Sequence, residues 1–251
     1  MKLGTLLGVV AAALALMGAT LVPTSAEANG SVCGSGTHGS TGYAYAGHQG
    51  ESIGHGVRAT ISTLESPAVA AGHVAGWIGV GGPGQGPNGE AMWLQAGIAA
   101  IPGSAPMVYV EIVRAGESPL FVSLRDDIEV GRNFSLTVLE MSHRPDYWRV
   151  WLNNQPVTEP IHLPGSTERW RPIVTAESWS GGGATCNQFG FRFENVGLAT
   201  SKGGSWRAFK PGYHFLDRGF VVRELKAGDT GQRTLAGGGV KPYAFEAASG
   251  S

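Results

Sequence analysis

Apolar and polar residues alternate along most of this chain with a period of two. The stretch "VRATISTL" at 57–64 sets Val57, Ala59 and Ile61 against Arg58, Thr60 and Ser62. Successive side chains of a strand point to opposite faces, so such a stretch predicts a strand with one buried side. The same reading predicts strands at "HVAGWIGV" (73–80), "AMWLQAGIA" (91–99), "MVYVEIV" (107–113) and "FSLTVLEM" (134–141). It also predicts them at "YWRVWL" (147–152), "RPIVTAES" (171–178), "FGFRFENV" (189–196) and "GFVVREL" (219–225). Turn-forming runs lie between them: "GGPGQGPNG" at 81–89, "RDDIEVGRN" at 125–133, "NNQP" at 153–156 and "SGGGATC" at 180–186. No stretch after residue 28 keeps a helical period. Many short strands joined by Gly/Pro turns predict an all-β fold, an antiparallel two-sheet sandwich of the jelly-roll kind. The pattern weakens over 197–251, and the closing "AFEAASGS" is expected to fray.

Within "EAMWLQAGIAA" (90–100) the alternation places one amide in an unexpected company. Met92, Leu94, Ala96 and Ile98 share one apolar face, so Trp93, Gln95 and Gly97 share the other. The neighbouring strands sort in the same way. Val74, Ile78 and Val80 oppose Trp77, and Val108, Val110 and Ile112 oppose Tyr109 and Glu111. On "PIVTAESW" the face of Glu177 also carries Thr175 and Trp179. Several strands therefore offer a second face of indoles, a phenol, an amide and carboxylates. Such a face is either a ligand-binding concavity or the solvated side of an antiparallel sheet.

Composition refines this picture. Forty glycines in 251 residues are about twice the usual share of ~7%, and they punctuate turns rather than follow a repeat. Eighteen basic residues against nineteen acidic ones give a net charge of −1, which leaves no electrostatic footprint for nucleic acid or an anionic membrane. Residues 1–28 have an early lysine, an apolar run and a small-x-small end at Ala26, Glu27 and Ala28, the anatomy of a cleavable secretory signal. A single β-sandwich domain over 29–251, exported and monomeric, is the expectation, with no membrane partner once the signal is removed. In an exported chain the two cysteines, Cys33 and Cys186, are expected to pair as one disulfide.

Other chemistries are poorly represented. The seven histidines (His38, His48, His55, His73, His143, His162 and His214) form no H-E-x-x-H and no ligand pair on one strand, so no metal is expected. "GVGGPGQG" has neither the G-K-[ST] ending nor the following helix of a phosphate loop, and no cofactor is expected. No serine sits in a G-x-S-x-G elbow. "NFS" at 133–135 matches a glycosylation sequon, meaningful only in a eukaryotic secretory route.

The segments "GVRATISTLESPAVAAGHVAGWIGVGG", "AMWLQAG", "VYVEIV", "DDIEVGRNFSLTV" and "IVTAESW" resemble, in order and spacing, the glutamic peptidases of the G1 (eqolisin) type. These are secreted sandwiches of concanavalin-A-like fold, and the resemblance covers roughly residues 43–225. It implies that Trp77 lies on the family's tryptophan strand, Gln95 on its catalytic glutamine, Glu111 on the glutamate of its Tyr-Glu-Trp strand, and Glu177 on its catalytic glutamate. Glu168 fits that last place less well by parity and spacing. Gly81 stands where the family has an aspartate, and Tyr43 or Tyr45 stands near the place of its N-terminal tryptophan.

Amide hydrolysis needs a base for water, a donor for the oxyanion and an acid for the leaving amine. One carboxylate can serve first as base and then as acid, the role the resemblance implies for Glu177. The NH₂ of Gln95 would hold the oxyanion and stay neutral at any working pH. Glu111 would orient Gln95 or the water, and Trp77 would wall the cleft. The implied partner is a polypeptide substrate. A different class of function remains open at this point, a non-catalytic binding module whose Trp93, Tyr109 and Trp179 stack on sugar rings or an extended peptide. A glycanase using Glu111 and Glu177 as its carboxylate pair is a third reading.

Overall fold

A computed structural model of the chain describes residues 42–180, 186–226 and 243–250. The secretory signal expected over 1–28 and Cys33 lie outside the described residues, and with Cys33 the expected pairing to Cys186. In chain order the strands are β1 (Tyr43–Gly50), β2 (Gly56–Thr63), β3 (His73–Gly82), β4 (Met92–Ala100), β5 (Met107–Val113), β6 (Leu120–Arg125), β7 (Phe134–Glu140) and β8 (Tyr147–Leu152). There follow β9 (Gln155–Pro156), β10 (Ile161–His162), β11 (Ile173–Trp179), β12 (Gly190–Ser201), β13 (Ser205–Ala208), β14 (Pro211–Leu216), β15 (Phe220–Glu224) and β16 (Tyr243–Ser249). Among the described residues there is no helix.

All strand pairings are antiparallel and build two sheets. The first runs β14-β1-β11-β3-β4-β5-β6, and the second β10-β8-β7-β2-β12-β16-β15 with β13 beside β12 and β9 beside β8. Their facing sides form one core. Ala46, Ile78, Leu94, Ile98, Val110 and Val174 from the first sheet meet Ile61, Leu136, Trp148, Phe191, Phe193 and Phe245 from the second. The alternation thus specified the inner faces, and the all-β two-sheet sandwich is observed.

The C-terminal expectation fails. β16 does not fray: it pairs with both β12 and β15, and Phe245 and Ala247 are wholly buried. Phe245 stacks on Phe193 with ring centroids 4.7 Å apart. Glu246, on the outer face, is clamped by Arg192 Nη2 at 2.7 Å and Arg223 Nη2 at 2.6 Å. The alanine-rich segment carries a weak local pattern, and its order comes from strands distant in sequence. The pattern also missed β1, where Tyr and Ala alternate, and the edge strands β6 and β14.

Candidate active site

The outer face of the first sheet carries a cleft of about 570 Å³. Parity delivers its floor. Tyr43, Tyr45 and Gln49 come from β1, Ile173, Thr175 and Glu177 from β11, His73 and Trp77 from β3, Trp93 and Gln95 from β4, and Glu111 from β5. The loop at Gly81–Gln85, the Trp170–Arg171 segment and Phe215 of β14 add walls. Trp170 is almost fully buried and donates from Nε1 to the Gln85 carbonyl at 3.3 Å, which ties two of these walls together.

The Glu177 carboxylate is 6% exposed and densely bonded. His73 Nε2 lies 2.9 Å from its Oε1 and Trp77 Nε1 donates to its Oε2 at 3.3 Å. An ionised carboxylate only accepts, so this contact is a hydrogen bond to the ionised form when the histidine nitrogen facing it carries a proton. Tyr45, directly opposite Glu177 in the β1–β11 register, bonds it as well. Burial, reinforced by that carboxylate, pushes the Tyr45 phenol far above its ordinary pKa and the Tyr43 phenol up to about 12. Both hydroxyls keep their protons at any physiological pH.

Gln95, 7% exposed, faces a second group. Its Nε2 donates to the Tyr109 hydroxyl oxygen at 3.2 Å and to Glu111 Oε2 at 3.3 Å, while Trp93 Nε1 donates to Glu111 Oε1 at 3.1 Å. An ionised Glu111 fixes which end of the amide points toward it, because only the NH₂ end donates. Burial first, then the charge of Glu177, raises the Glu111 pKa above its ordinary value. Glu177 also raises the pKa of Tyr109, after burial. The two groups therefore lie within electrostatic reach of each other, although β3 separates β11 from β4.

Gly97 now has a reason. Trp77, Gly97 and Tyr109 share one register row across β3, β4 and β5. A Cβ on Gly97 would stand 2.7 Å from the Trp77 Cβ. Its absence lets β3 and β4 approach closely at the Gly76 carbonyl, and Trp77 and Tyr109 share a small second core with Ala75 and Ala99.

No family model matches the chain, and no curated protein matches it significantly. Solved structures do. A crystal structure of scytalido-glutamic peptidase with a peptide-based transition-state analogue aligns at a TM-score of 0.54 with 14% identity, over 83% of this chain and 99% of the other. A second structure of that enzyme with a transition-state analogue inhibitor aligns at 0.52 with 12% identity, over 84% and 100%. SCP-B, a member of the eqolisin family of peptidases in complex with the tripeptide Ala-Ile-His, aligns at 0.51 with 14% identity, over 84% and 98%. The fold is that of the glutamic peptidases.

On this glutamic-peptidase fold five of the residues singled out in the sequence, Trp77, Trp93, Gln95, Glu111 and Glu177, line one cleft. Two others do not line it. Tyr109 is 1% exposed under Phe121, with ring centroids 5.0 Å apart, and supports Gln95 from beneath. Trp179 stacks beside Tyr43 and His73 next to the cleft. The face is also not a solvated one: Trp77, Gln95, Tyr109 and Glu177 are all buried. Glu168, at a left-handed position (φ 55°) before β11, takes no part in the lining.

Sequence reasoning missed His73 as a partner of Glu177, because the histidines were searched for metal spacing alone. Parity held the signal, since His73, Ala75 and Trp77 share a face of β3. Gly81 is equally informative. Its φ is +84°, and a Cβ there would run into the Met92 carbonyl oxygen and stand 2.9 Å from the Trp93 Cα. The backbone at this point disfavours any side chain, the family's aspartate included.

Proposed function

We propose that this protein is a secreted glutamic endopeptidase that hydrolyses peptide bonds on the acidic side of neutrality, with water as nucleophile. The observation that carries the reading is that a buried, multiply bonded Glu177 and an oriented Gln95 amide line one cleft. Proteins of the same fold have been captured with a peptide-based transition-state analogue and with a tripeptide, which supports a polypeptide substrate.

In this reading Glu177 takes the proton from water and returns it to the leaving amine. His73 and Trp77 hold the carboxylate in one rotamer, so its approach to the water is set before substrate arrives. The Gln95 NH₂ gives up one of its two present acceptors, Tyr109 or Glu111, and turns that hydrogen to the developing oxyanion, while the other acceptor keeps the amide in place. Export by the 1–28 signal and a Cys33–Cys186 disulfide belong to the same reading, as does a monomeric state.

Stacking of sugar rings in this cleft is less well supported. Of the three proposed platforms only Trp93 lines the cavity.

The test is cleavage of casein by the mature protein from pH 2 to 8, with Glu177→Gln as control. Wild-type cleavage that disappears in the variant supports the proposal. No cleavage by the wild type at any pH, or equal cleavage by the variant, overturns it.

A further inference from the structure

The outer face of the second sheet carries another groove, of about 550 Å³, which shares no residue with the cleft. Trp151 of β8, Thr137 of β7, Arg58 of β2 and Gly197 of β12 form one register row across it. Three inter-strand spacings make that row about 14 Å long. Trp206 of β13 covers its far end, where the Arg58 guanidinium carbon sits 4.7 Å from the indole centroid. That contact fixes both groups. Trp151 and Trp206 both line the groove and are each half-buried, so neither side chain is fully covered.

A second feature points the same way. The β2–β12 register slips between Glu194 and Gly197, and Asn195, within that slip, adopts φ 55°. Bulges of this kind re-aim a side chain. Here the Asn195 amide is brought to the groove, where Nδ2 donates to Thr60 Oγ1 at 3.4 Å. Asn154, in the turn between β8 and β9, supplies another amide at the Trp151 end.

The chemistry selects among ligands. The lining holds no carboxylate and one cation, which is already seated on an indole, so a polyanion such as nucleic acid finds no complementary charge. The strands beneath have their backbone groups engaged in the sheet, so an extended peptide finds no ladder to join. What remains is aromatic faces flanked by amide, guanidinium and hydroxyl groups. That combination suits sugar rings, whose C–H faces pack on indoles while their hydroxyls take planar donors and acceptors.

We propose that this groove binds a neutral oligosaccharide, laid across β8, β7, β2 and β12 between Trp151 and Trp206, with hydroxyls on Asn154, Asn195 and Arg58. Such a site would hold the protein on a polysaccharide while the cleft on the opposite sheet stays free. It does not depend on the peptidase reading.

The test is calorimetric and fluorescence titration of the mature protein with cellohexaose, laminarihexaose, mannohexaose and chitohexaose. Saturable binding of at least one is expected, weakened at least ten-fold by Trp206→Ala and by Trp151→Ala and unchanged by Trp93→Ala in the cleft. Asn154→Gly, which keeps the positive φ of 64° accessible, is expected to weaken it without disturbing the fold. No saturable binding of any of the four overturns the proposal. So does binding lost in Trp93→Ala and retained in Trp151→Ala and Asn154→Gly.

Discussion

The outer faces of the two sheets are written in the same alternating code and end in different physical states. On the first sheet Trp77, Gln95, Tyr109 and Glu177 are buried and bonded to one another or to neighbours. On the second, Arg58 is exposed and Thr60, Ser135 and Thr137 are partly so. Alternation says which residues share a face; it does not say whether water reaches it. Walls decide that. The first face is closed by the end of β3 and the turn after it (Gly81–Gln85), Trp170 and Phe215, and in the drier space an unpaired polar group would be costly, in keeping with the bonds that Trp77, Gln95, Tyr109 and Glu177 make.

This contrast can be broken most directly at Gln95. Gln95→Ala is expected to lower the turnover of casein by about 10² to 10³ with little change in KM, because an oxyanion donor acts on transition-state charge. A change in KM alone would place Gln95 among the binding walls instead.

A smaller effect follows from two titrating groups, His48 buried and Glu111 half-buried, whose pKa values shift in opposite directions. His48 of β1, 1% exposed and bonded to Tyr243, has its pKa lowered from 6.5 to about 4 by burial and then by His214. Its stabilising contribution is complete above the unfolded value and is lost as pH falls from about 6.5 to about 4, amounting to about 3 kcal/mol. Glu111 works the other way. Its raised pKa means that its contribution is present at acid pH and lost as pH rises. Urea unfolding at pH 7 and pH 4.5 should show His48→Gln losing less stability on acidification than the wild type. An equal loss would place the acid sensitivity elsewhere.

At Gly81 the backbone itself is at issue. Gly81→Asp is expected to cost about 1–3 kcal/mol, through strain at a left-handed position and collision with Met92, and to bring no gain in cleavage rate. A faster, equally stable variant would show that the turn adapts to a carboxylate. The smallest effect belongs to the open face. Thr137→Val should change the unfolding free energy by less than about 0.5 kcal/mol, and a larger loss would mean that this face is less free than its exposure suggests.

Much of the site was legible because strand parity is local. Trp77, Trp93, Gln95, Glu111 and Glu177 sorted to one side from four short segments. What local pattern lacked was depth. It could not place Tyr109 beneath the cleft or Trp179 beside it, since both share the parity of Gln95 and Glu177 on their sheet. His73 was visible to parity but was read against metal spacing, where it has no meaning.

The alternation of the chain determined by itself the all-β class, the inner faces and the membership of each outer face, because side-chain direction in a strand depends only on odd and even position. Tertiary structure decided the rest. The order β14-β1-β11-β3-β4-β5-β6 makes neighbours of the strands that carry Glu177, Trp77, Gln95 and Glu111, although those residues lie far apart in the chain. The C-terminal β16 is ordered for the same reason, being held by β12 and β15 rather than by its own alanine-rich pattern. Cross-strand pairing and the closing of a cleft are long-range events, and a local period carries no information about them.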